Sequence, residues 1–210
     1  MQNFGIDNYL AFLLAGILLN ITPGTDTIYI LTRSIAQGRN AGILSVLGIS
    51  TGSIIHTIFA AFGLSVILST SAILFSVIKF IGAGYLIYLG IKMFIQSKSS
   101  WTDPQQQIVG RNKIFRQGVI TNVLNPKVAL FFLSFLPQFI NPSVAQGPAP
   151  FLILGLTFIF TGTIWCLILA FGASYFNKFF SKNVSANKWM KRINGSIFIG
   201  LGVHVAMQKS

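Results

Sequence analysis

The stretch Asn20-Ile21-Thr22-Pro23-Gly24-Thr25-Asp26 decides how this chain folds. It interrupts an apolar run from Tyr9 to Leu31 that otherwise spells one plain helix. Proline inside a helix removes an N–H and clashes with the preceding turn. A carboxylate at membrane depth is costly and marks a functional site by default. Backbone freed by such a break is tolerated only where protein or a water-filled cavity covers it. Pro23, Gly24 and Asp26 are therefore expected to face the interior of a bundle.

The rest of the composition makes that run a membrane span. Of 210 residues, 53% are hydrophobic and only 9% are charged, whereas soluble domains carry about 25% charged residues. Mean hydropathy is +0.72. The reading is an all-α integral membrane protein, a single transmembrane domain over 1–210, with about six helices of roughly 20–25 residues each. The net charge is +12, from 15 basic and 3 acidic residues. The basic residues lie mostly in short loops, which is the positive-inside pattern of a bilayer partner and not a nucleic-acid footprint. The single cysteine, Cys166, excludes a disulfide framework and a cysteine metal cluster. The N-terminus lacks a basic n-region and a small-residue cleavage site, so the first apolar run reads as a span and not as a signal peptide.

Outward from the break, Arg33 and Arg39 read as a short polar loop. Span two follows from about Ala41 to Leu68, with Ser45, Gly48 and Gly52 forming a small-residue face suited to internal packing or to a homodimer. Ser69-Thr70-Ser71 reads as a tight turn. Span three, about Ala72 to Ile95, contains Lys79, Tyr85 and Tyr88, which read as interface or packing residues. Residues 96–116 read as a basic loop. Span four runs from about Gly118 to Phe139, span five from about Pro150 to Tyr175, and span six from about Ile193 to Met207. The loops after spans one, three and five are basic and the other two uncharged. That assigns the basic side to the cytoplasm and both termini to the outside.

Span four repeats the plan of span one. Asn122, Asn125, Pro126 and Lys127 answer Asn20, Pro23 and Asp26, with opposite charge. Repeat one (about 1–95) and repeat two (about 117–210) then form a 3+3 inverted-topology pair, and Gly/Pro-broken spans at corresponding positions point to a transporter's binding site. At ~1.5 Å per residue, Lys127 lies roughly 16 Å above Arg116 and Asp26 roughly 10 Å above Arg33, near a common depth. Asp26 and Lys127 either bind a zwitterion and a proton, or pair with each other. Asn20, Asn122 and Asn125 either hold substrate or satisfy carbonyls freed by the prolines. His56, in the outer half of span two, reads as a proton-relay candidate or a packing histidine. His204 reads as interfacial. No metalloprotease, hydrolase or P-loop motif is present, and a chain with two histidines, one cysteine and no glutamate is a poor metal binder. The chain reads as a non-enzyme.

Asn20-x-x-Pro23-Gly24-x-Asp26 resembles the first-span signature of the LysE/RhtB-type amino-acid exporter family. Gly82-x-x-Tyr85-Leu86-x-x-x-Gly90 resembles its third-span pattern, and Asn125-Pro126-Lys127-x-x-x-Phe131-Phe132-x-x-Phe135-x-Pro137-Gln138-Phe139 resembles its fourth. Thr25 departs from the family, which usually has a second proline there. The resemblance implies an exporter of amino acids in the bacterial inner membrane, driven by the proton gradient and needing no cofactor. Asp26 would take the ammonium and Lys127 the carboxylate. Two other classes remain open at this stage: a cation or metal exporter, and a membrane assembly or regulatory subunit that transports nothing.

Overall fold

In the computed structural model, residues 4–70, 108–141, 144, 145 and 147–173 are described, with isolated helical positions between 73 and 91 and between 192 and 207. Lys79, the Gly82–Gly90 pattern apart from Gly84, Ile87 and Tyr88, residues 96–107 of the basic loop, and His204 lie outside the described residues.

The first broken span is two helices, α1 (Tyr9–Ile21) and α2 (Thr25–Gln37), bent by 48°. Gly38, in the left-handed region at φ 80°, turns the chain into α3 (Arg39–Phe59). A π-helical turn (Ala60–Leu64) and α4 (Ser65–Thr70) extend α3. The second broken span is α5 (Arg111–Val123) followed by α6 (Pro126–Leu130), which continues through π and 3-10 turns to Phe139, with a 46° bend. Helix α7 (Ala149–Phe171) follows. Residues Arg39–Ile67 and Ala149–Phe171 are each long and apolar enough to cross a membrane, and each bent pair passes the same test as one span. The third and sixth expected spans fall largely outside the described residues.

Three boundaries differ from the sequence reading. Arg33 is buried on α2 and not in a loop. Its guanidinium is held by neighbouring amides, which lets the helix continue through a charge that hydropathy reads as a terminus. Helix α5 starts at Arg111, inside the expected loop, because Ile114 is buried while Arg111, Lys113 and Arg116 stay on the exposed face. The expected turn at Ser69-Thr70 is instead the last stretch of α4.

Lipid-facing and bundle-facing positions alternate as a membrane helix requires. On α7, Leu156, Phe160, Ile164, Ile168 and Phe171 are exposed at three- and four-residue spacing, while Phe151, Leu154 and Phe158 are buried. At the end of the bundle that holds the start of α1, an aromatic core forms around Phe12, Phe131, Phe135, Phe139 and Phe158, with Phe131 stacked on Phe158 at 4.4 Å. A second core, around Ile30, Val46, Ile49 and Leu169, joins α2, α3 and α7. The small-residue face of α3 is used internally. A Cβ at Gly48 would stand 2.4 Å from the Phe115 carbonyl oxygen and 3.0 Å from the Gly118 Cα, so α3 and α5 meet backbone to backbone.

Candidate functional site

The first break is built from its two flanking helix ends. Thr22 precedes proline and is extended at ψ 115°, as that position favours. Its backbone N–H (3.0 Å) and its Oγ1 (2.7 Å) both donate to the Leu18 carbonyl. Gly24 caps α2 in an extended conformation, and Asp26 is the second residue of that helix, where the positive end of the dipole favours a carboxylate. The last carbonyls of α1 need donors that hydrocarbon cannot supply.

Those donors come from the second break. Lys127 Nζ donates to the Leu19 carbonyl at 3.0 Å and to the Thr22 carbonyl at 2.8 Å. Lys127 is buried, and a cation at a helix C-terminus suits the dipole. The second break closes largely on itself. Asn125 Oδ1 accepts the Lys127 backbone N–H at 3.0 Å, an N-cap, and Pro126 occupies the first helical position, where its missing N–H costs nothing. Both prolines thus sit at helix junctions and not within helices.

The three asparagines separate into three tasks. Asn122 Nδ2 donates to Asp26 Oδ2 at 2.8 Å. Its own Oδ1 accepts from Ser53 Oγ at 3.2 Å, and its backbone carbonyl accepts from His56 Nε2 at 3.3 Å. His56 also stacks on Phe132, ring centroids 5.6 Å apart. Asn20 turns to α7, donating to Thr161 Oγ1 at 3.1 Å and the Phe158 carbonyl at 3.4 Å. Asn125 caps α6. None of the three serves the carbonyls freed at Pro23; Lys127 does.

The hydrogen bonds cross between the breaks. The second residue of α2, Asp26, is held by the penultimate residue of α5. The second residue of α6, Lys127, holds the last turn of α1. Asp26 and Lys127 are not hydrogen-bonded to each other, yet both line one cavity of about 30 Å³, with Asn20 and Asn122. A water needs about 10–15 Å³ by such a measure, so this arrangement admits a few waters and no amino acid. Asp26 Oδ1 is buried and accepts no hydrogen bond. Among the described residues no three His, Cys, Asp or Glu side chains come together as metal ligands.

Sequence reasoning missed the far wall of this cavity. Ser53 and Ser50 of α3, and Thr163, Trp165 and Cys166 of α7, line it. The signal available was Thr161-Gly162-Thr163, a small polar triplet inside an otherwise apolar span.

A family model described as LysE type translocator matches residues 17–209, which include both breaks. The chain is 33% identical over 208 residues to the uncharacterized membrane protein YrhP of Bacillus subtilis (strain 168), covering 94% of this chain and 98% of that one. It is 31% identical over 201 residues to the homoserine/homoserine lactone efflux protein of Salmonella typhimurium, covering 94% of this chain and 95% of that one. It is 26% identical over 208 residues to the leucine efflux protein of Salmonella choleraesuis, covering 99% and 98%. No solved structure matches it. This is a multi-pass membrane protein, and it belongs to the LysE type translocator family.

Proposed function

We propose that this translocator exports an amino acid or a closely related zwitterion across the bacterial inner membrane in exchange for protons. The observation that carries the proposal is the Asp26 carboxylate, which lines one cavity with Lys127 and whose buried Oδ1 has no hydrogen-bond partner. A buried acceptor without a donor costs about 1–3 kcal/mol. A proton or an ammonium group removes that cost, and the two compete for the same oxygen. That competition is the elementary requirement of antiport. Lys127 spends two of its three ammonium N–H groups on Leu19 and Thr22, which leaves one for a substrate carboxylate. The efflux relatives, named for leucine and homoserine, support the substrate class.

The crossing hydrogen bonds and matched bends favour a 3+3 inverted repeat, with cytoplasmic basic loops and periplasmic termini. In this reading the narrow cavity is the closed form, and substrate enters when one half rocks against the other.

The test is efflux of labelled L-leucine and L-homoserine from proteoliposomes under an imposed pH gradient. The gradient should accelerate efflux in the wild type and have no effect on Asp26→Asn. Wild-type rate and pH dependence in Asp26→Asn would remove Asp26 from the mechanism.

A further inference from the structure

The polar face of α2 extends beyond Asp26. Asp26, Tyr29, Arg33 and Gln37 recur at three- and four-residue spacing, one stripe along a helix. Each bonds α5 or the residues leading into it. Asn122 holds Asp26 at 2.8 Å, Tyr29 Oη donates to the Ile114 carbonyl at 2.6 Å, Arg33 Nη2 donates to Gln117 Oε1 at 2.9 Å, and Gln37 Nε2 donates to the Val109 carbonyl at 2.9 Å. The end pairs, Asp26 with Asn122 at the cavity and Gln37 with Val109 at the far end of α2, set the two helices antiparallel, and the Tyr29 and Arg33 partners lie between them. Parting α2 from α5 therefore uncovers a continuous polar path to Asp26.

Arg33 is the anomaly on that path. It is 6% exposed, and Nε is buried without an acceptor. Nη1 donates to Gln37 Oε1 at 3.3 Å, and the guanidinium carbon stands 5.7 Å from the Tyr29 ring centroid. No carboxylate is among these partners. Of the two acids among the described residues, Asp26 is roughly 10 Å away along the helix, and Asp7 is exposed on the other side of the break. Burying a charge without a counter-ion is costly. Guanidinium matches a carboxylate in a two-point fork, and an amide oxygen is a poorer acceptor for it.

We propose that the α2–α5 seam is the entry route to the cavity and that Arg33 is a carboxylate-binding residue on it. Gln117 and Gln37 occupy the guanidinium while the seam is closed, and the carboxylate of the incoming zwitterion replaces them when the helices part. This rests on the amino-acid reading above. It makes Arg33 the first contact for the carboxylate and Lys127, at the break beyond Asp26, the second.

The full-length chain in proteoliposomes tests it through two opposed variants. Arg33→Gln should raise the half-saturating L-leucine concentration by about tenfold or more, with Arg33→Lys between the two. Gln117→Ala, which frees the guanidinium, should lower it. Inhibition by leucinamide, which has no carboxylate, should be unchanged by Arg33→Gln. Cys166, the single cysteine and a cavity residue, reports the seam itself: both Arg33→Gln and Gln117→Ala should speed its reaction with a membrane-impermeant maleimide added to the basic-loop face. If both variants move half-saturation in the same direction, or neither moves it, the carboxylate role is overturned while amino-acid export stands. If the wild type moves neither leucine nor homoserine, the export reading fails and the Arg33 role fails with it.

Discussion

The two helix breaks bend their spans almost equally, by 48° and 46°, but they are held in opposite ways. The second closes largely on itself, with Ser53 and His56 of α3 bonding Asn122. Asn125 caps its own downstream helix, Pro126 fills the first position, and the backbone N–H groups of Leu124 and Asn125 return to Ile120 and Asn122. The first is dependent. Its carbonyls at Leu19 and Thr22 are served by Lys127, and its carboxylate by Asn122, both from the second break. One break is a platform, and the other is shaped by what the platform presents. On the proposed export reading, a substrate that draws on Lys127 or Asn122 changes the first break with it.

The largest effect should come from Lys127→Met. It leaves two buried carbonyls unpaired at about 1–3 kcal/mol each, so stability in detergent should fall by roughly 2–6 kcal/mol. Hydrogen exchange should quicken at residues 22–28 more than at 124–130, and equal quickening at both would end the platform picture. Gly52→Ala comes next. Its Cβ would stand 2.7 Å from Asn122 Cβ and Oδ1, pushing the amide off Asp26, at about 1–3 kcal/mol for overpacking. Efflux and its pH dependence should suffer together. Asn125→Ala should cost about 1 kcal/mol through the lost cap, with exchange changing at the second break. Gly24→Ala should be the mildest. A Cβ there meets only Lys127 side-chain atoms at 3.5–3.9 Å, and φ −151° suits any residue, so a thermal unfolding scan should register under about 1 kcal/mol.

The breaks were legible because proline and charge are conspicuous in an apolar run. The spacing put Asp26 and Lys127 at a near-common depth, and the structure has both lining one cavity. Their actual partners were not legible. A direct Asp26–Lys127 pair and a lysine on helix-end carbonyls are identical in sequence, and only the placement of α6 beside the end of α1 decides between them. Arg33 was hidden for a related reason. A guanidinium is buried when distant amides reach it, and Gln117 carries no mark of that task in its own neighbourhood. The α7 wall was hidden because serine, threonine and cysteine satisfy themselves within a helix as readily as they face a cavity, as Thr157 and Thr161 both do by bonding their own helix.

The reach of Lys127 also constrains how the chain is made. Its acceptors lie 108 and 105 residues earlier in the sequence. At the usual ribosomal pace of about 5–20 residues per second, the first broken span waits roughly 5–20 s between its own emergence and the arrival of the ammonium that completes it. During that interval its free carbonyls cannot rest against lipid tails. Until Lys127 arrives, water or another protein has to supply the donors that those two carbonyls need.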